Sequence, residues 1–151
     1  MHAIRRWLFG GLVVVVLLPA HGTAQEFARS RARWNASAIA DYEYRYQRVC
    51  ECHPDEPADT IVTVREGQIT AVRYSRSDYA SDVPVAPDRL SWFRTVDDLF
   101  TLIESARGRK ALVRATFDEN YGFPRTVYID YIADLVGDEV QLTVTGFTPQ
   151  R

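Results

Sequence analysis

The alternation of apolar and polar positions divides the chain into a leader followed by helices and strands. From Trp7 to Leu18 every residue is apolar or glycine, and Pro19 ends the run. Between Glu26 and Ala40 the large apolar side chains are Phe27, Trp34 and Ile39, which predicts a helix with a thin apolar stripe, laid over a sheet by Trp34. Asp41 to His53 then carries three alternating tyrosines and both cysteines. Side chains alternate faces in a strand, so Tyr42, Tyr44, Tyr46, Arg48, Cys50 and Cys52 share one face of a strand running to Cys52, with the tyrosines inward. His53-Pro54 ends that strand, because proline cannot donate to a ladder, and Asp55 to Asp59 is a polar loop.

Thr60 to Arg65 and Gln68 to Tyr74 are β-rich runs separated by Glu66-Gly67, the pattern of a tight hairpin. Ser75 to Arg94 has no period and predicts a long surface loop, closed by Trp92-Phe93, of which only one can face inward. Thr95, followed by Asp97 and Asp98, is an N-cap with acids in the first turn, and Val96, Leu99, Phe100 and Ile103 recur at helical spacing towards Gly108, a C-terminal stop. Three alternating runs follow: Ala111 to Phe117, Thr126 to Tyr131 after a turn over Glu119 to Gly122, and Val140 to Thr145 after Gly137-Asp138. Asn120 and Gly122 are the residues expected to take the turn's unusual dihedrals. One wet and one buried face per strand implies antiparallel pairing with helices on one side. The fold class is therefore α+β, two helices packed on one face of an antiparallel sheet of about six strands. The order helix, three strands, helix, three strands raises a duplicated unit, with no residue-level repeat behind it.

The leader changes the composition. A basic start at Arg5-Arg6, an apolar core and the small residues Gly22-Thr23-Ala24 form a secretory signal peptide over 1–24, with cleavage after Ala24 and a single domain over 25–151. The apolar run is shorter than the roughly 20 residues of a membrane span, so no span remains after cleavage. Cleavage removes two of 18 basic residues and none of 20 acidic ones, moving the net charge from −2 to −4 and leaving His53 as the one histidine. Such a domain lacks the basic footprint that nucleic-acid binding needs, and Arg29, Arg31 and Arg33 read as a solvated helix face.

Trp34, the Tyr42 strand ending in Cys50-x-Cys52, Val64-Arg-x-Gly67, Thr95-Val-Asp-x-Leu-Phe100 and Phe117-Asp-x-x-x-Gly-Phe-Pro124 running into Ile129-Asp130 occur in a specific order and spacing. In these features the mature chain resembles an exported bacterial family known as domain-of-unknown-function family 6174. The resemblance implies a periplasmic or secreted protein of one domain. It lends no catalytic residue to any position.

The chemistry that remains is Cys50-Glu51-Cys52. Alternate Cα atoms of an ideal strand lie about 6.6 Å apart, near the upper limit for a disulfide, so closing the pair needs a local bend. Three readings stay open: a disulfide with a local structural role, an exchangeable redox pair, and a soft-metal site with His53. Asp118 to Gly122 lacks the spacing of a calcium loop, and no hydrolase, phosphate-loop or dinucleotide motif occurs. The tyrosines are core or, alternatively, an exposed aromatic platform. The function expected is a non-enzymatic binding or interaction module, without cofactor, metal or catalytic residues, for an unknown protein, peptide or glycan partner. The alternative is a thiol-disulfide redox or soft-metal-binding protein using Cys50 and Cys52.

Overall fold

A computed structural model describes residues 24–51, 59–75 and 83–150. Residues 1–23 of the leader, Cys52, His53, Pro54 and most of the polar loop after them lie outside the described residues. The elements are α1 (Ala24–Ser37), β1 (Tyr42–Cys50), β2 (Thr60–Arg65), β3 (Gln68–Tyr74), α2 (Val96–Gly108), β4 (Leu112–Phe117), β5 (Pro124–Asp130) and β6 (Val140–Pro149). The strands form one antiparallel sheet in the order β3-β2-β1-β6-β5-β4. Both helices cover the same face, so the α+β architecture expected from alternation is the one observed. No described helix is long and apolar enough to cross a membrane. The element order recurs between the halves, but β1 and β6 are antiparallel neighbours, so equivalent strands of the two halves run in opposite directions.

The core lies between this face and the helices. β1 contributes Tyr42, Tyr44 and Tyr46, β2 contributes Val62 and Val64, β5 contributes Val127 and Ile129, and β6 contributes Val140, Leu142 and Val144. α2 sets Val96, Leu99, Phe100 and Ile103 against them. α1 adds Phe27, edge-on to Phe100 at 5.6 Å, and Trp34, edge-on to Tyr42 at 5.5 Å. Such pairs match the negative ring face to the positive edge and add to burial itself. Of the three arginines read as a solvated face, Arg31 pairs with Asp97 at 2.8 Å and lies over the Phe100 ring, while Arg33 donates to the Asp118 carbonyl at 3.3 Å. They tie α1 to its neighbours.

Several boundaries differ from the expectation. β1 ends at Cys50. The stretch read as an unstructured loop contains a 3-10 turn over Pro87–Trp92, and before it Arg73 bridges to Pro84 and buries Val85 against the sheet. Phe93 is the inward member of the aromatic pair, with Trp92 half-buried under the Arg89 guanidinium. α2 ends at Gly108 as expected, but the residue that closes it in the left-handed conformation lies further on. Lys110 takes the left-handed conformation at φ +64, with Ala111 N–H donating to the Ala106 carbonyl and Lys110 N–H to the Arg107 carbonyl, a Schellman closure made without glycine. β6 runs on to Pro149 because Gly146, at φ +57, accommodates a bulge opposite Glu43 and Arg45. The extra residue reverses which positions face inward, so Phe147 joins the core, stacked on Phe123 at 4.5 Å.

Candidate functional site

Among the described residues, four regions bear most directly on chemistry or binding. The first is the tyrosine strand. Tyr42, Tyr44 and Tyr46 are 1%, 0% and 3% exposed, so they are core and not a platform. The hydroxyls of Tyr42 and Tyr44 find backbone partners where helix α2 begins: Tyr42 Oη accepts from Val96 N–H at 3.0 Å and Tyr44 Oη donates to the Arg94 carbonyl. Beside them Thr95 Oγ1 accepts from Asp98 N–H at 3.1 Å, and the Asp98 carboxylate accepts from Thr95 N–H at 2.9 Å. This capping box and the Tyr42 hydroxyl satisfy amides that a helix start leaves without partners. Burial raises both phenols, Tyr44 well above the ordinary tyrosine value, because the anion would lose its hydration.

The second region is the end of β1. Cys50 sits opposite Val140 and packs partly against the core. Glu51 lies against Gly137, where a Cβ would stand 2.6 Å from the carboxylate, so the β5–β6 connection passes directly beside the cysteine. That connection exposes apolar surface: Ile132, Leu135 and Val136 are 57%, 50% and 87% exposed, and Val49 on β1 is 58% exposed. Since Cys52 and His53 lie outside the described residues, the geometry of the pair and of a soft-metal set is not described.

The third is the sheet face that no helix covers. It is polar. Glu43 accepts from both Arg73 terminal nitrogens at 3.0 and 3.1 Å and from Thr63 at 3.2 Å, and the hydrogen bonds from Arg73 are the main reason its carboxyl titrates below the usual range. Arg45 reaches Ser75 and lies 3.7 Å from Asp59. A cleft of about 150 Å³ opens here between Arg45, Gln47, Asp59, Thr143 and Thr145, too small for more than a few atoms of a ligand.

The fourth region is a groove of about 690 Å³ between the second half of α1 and the β4–β5 turn, lined by Arg33, Ser37, Ile39, Asn120, Tyr121 and Pro149, with Ala36 at its wall. Its volume falls within the range of small-ligand sites, and its lining mixes apolar surface with a few polar groups. The turn wall is rigid for identifiable reasons. Asp118 Oδ1 accepts from Asn120 N–H at 2.9 Å and Tyr121 N–H at 2.7 Å, Gly122 N–H closes onto the Asp118 carbonyl at 3.0 Å, and Asp118 N–H donates to Phe123 at 2.8 Å. Gly122, at φ +85, packs so tightly on α1 that a Cβ would stand 2.3 Å from the Ser30 carbonyl oxygen. Gly122 thus takes the unusual dihedral as expected, whereas Asn120 does not, because the Asp118 carboxylate organises the turn. Tyr121 is left 36% exposed at the rim, its ring 5.7 Å from that of Phe147. Neither Asn120 nor Tyr121 stands out in the sequence as a ligand contact; the signal was the paired Asp118 and Gly122 that hold them.

Comparison with known proteins adds a family and no activity. A family model described as a family of unknown function, DUF6174, matches residues 26–149, almost all of the described fold. No curated protein matches the chain.

Proposed function

We propose, for a chain that belongs to the family of unknown function DUF6174, that it is an exported binding module whose ligand occupies the groove between α1 and the β4–β5 turn. The observation that carries this reading is the fixed turn wall. Three hydrogen bonds to Asp118 and the contact of Gly122 with α1 hold Asn120 and Tyr121 at the rim beside Arg33, so a ligand meets a preformed surface and loses little free energy to ordering it. An exposed aromatic ring beside a guanidinium and an amide suits a sugar or a short peptide, each of which has one apolar and one hydrogen-bonding aspect. The leader pattern supports export to the bacterial periplasm or medium, and a Cys50–Cys52 disulfide would suit that compartment. Screening soluble oligosaccharides and short peptides against the 15N-labelled mature protein tests the site. Amide shifts from the first binder should gather at Ala36, Ile39, Asn120 and Tyr121. Shifts confined to the uncovered sheet face, or no binder in either library, count against the reading.

A second reading has its own support. Apolar Leu135 and Val136 are exposed in the connection whose Gly137 meets Glu51, next to Cys50, which is a surface on which a partner thiol protein could dock. In that case a partner thiolate attacks the Cys50–Cys52 bond, a mixed disulfide forms as one cysteine leaves as thiolate, and a second partner thiol displaces the other, leaving the partner oxidised and this pair reduced. Equilibration with glutathione separates the readings. A pair that remains oxidised at every cytosol-like ratio is structural.

A further inference from the structure

The two edges of the sheet are finished differently. The β3 edge is closed by the chain itself: Tyr74 N–H donates to the Val83 carbonyl at 3.0 Å, Val85 N–H to the Val72 carbonyl at 2.8 Å, and Arg73 bridges to Pro84. The β4 edge ends the sheet on the other side, and among the described residues β4 pairs only with β5. It carries none of the usual protections apart from Arg114, having no proline within Leu112–Phe117 and a register shift only at its last step. An uncovered row of backbone donors and acceptors is a template for another strand.

We infer that β4 pairs antiparallel with β4 of a second copy of this chain, joining two six-stranded sheets across a two-fold axis. The charges flanking the strand select this occupant. Arg109 and Lys110 precede β4, and Asp118 and Glu119 follow it. Antiparallel self-pairing sets the basic start of one strand beside the acidic end of the other, twice, by symmetry. Centring the axis on Ala115 places Val113 opposite Phe117 of the partner subunit on the core face and Arg114 opposite Thr116 of the partner subunit on the open face. Centring it on Arg114 would oppose two guanidinium groups, so the Ala115 register is the one selected. With the axis normal to the sheet, the helices of both copies lie on the same side.

Sedimentation velocity of the mature protein over micromolar to submillimolar concentrations tests this, together with Lys110→Glu, Glu119→Lys and the double variant. Both side chains are exposed, and circular dichroism is the check that each variant is folded. The expected result is a dimer weakened about tenfold or more by either single charge reversal and restored when the two are combined, since each single change opposes like charges. Hydrogen exchange should show alternate amides of β4 gaining protection as the dimer forms. A protein monomeric throughout, a dimer indifferent to the single reversals, or one whose β4 amides exchange unchanged would each overturn the inference.

Discussion

Tyr42 and Gly122 show how much single atoms decide here. Tyr42→Phe removes the acceptor for Val96 N–H and leaves that buried amide without a partner, an expected loss of about 1–3 kcal/mol in denaturant unfolding. Both buried phenols also set an alkaline limit. An unfolded tyrosine ionises near pH 10, whereas burial raises Tyr42 and Tyr44 in the folded chain, so above about pH 10 the unfolded state holds fewer protons than the native one. Their contribution is complete below that pH and lost as pH rises towards the folded values. Absorbance at 295 nm should accordingly show a block of tyrosines ionising together with unfolding, and the loss of stability with pH should be shallower in Tyr44→Phe. Two glycines, both at positive φ, differ in their surroundings. Gly146→Ala meets Arg45 Cγ at an ordinary 3.6 Å and should cost about 1–2 kcal/mol for the left-handed backbone alone. Gly122→Ala adds a collision with the Ser30 carbonyl at 2.3 Å, so its loss of melting temperature should be clearly the larger.

At the scale of elements, the helices and strands were legible wherever local pattern and tertiary burial agree. Thr95 with Asp98 marked the start of α2, and the box is formed; Thr95→Ala should cost about 1 kcal/mol, measured by chemical denaturation. The Glu66-Gly67 hairpin was equally readable, with both residues at positive φ as a type I′ turn requires. Legibility failed where one residue changes the phase. The Gly146 bulge reverses inward and outward positions within β6, so a period-two reading loses the strand after Thr145 and misses Phe147. The end of α2 was readable in position, since the helix stops at Gly108, but not in its closure: the hydrogen bonds of the Schellman motif hold Lys110 left-handed, two residues past that glycine.

For the whole molecule, the one-sided placement of helices followed from alternation, because a strand with one polar face requires water on that side. The groove did not follow. Its walls come from α1 and from a turn some 85 residues away, the separation spanned by the Arg33 to Asp118 hydrogen bond, and no local pattern encodes that approach. Only Gly122 hinted at it, since a residue without Cβ is what lets the turn meet the helix backbone. Cys50 and Cys52 were the residues the sequence offered for chemistry; Cys52 lies outside the described residues, and near Cys50 the β5–β6 connection exposes apolar surface. The central claim is that binding resides in the groove and not on the open face of the sheet. It is tested most directly by the affinity of one binder for wild type, Tyr121→Ala and Arg45→Ala. Tyr121→Ala should weaken binding about tenfold or more, as loss of an aromatic anchor does, while Arg45→Ala leaves it unchanged. Full affinity in Tyr121→Ala with loss in Arg45→Ala would contradict the account.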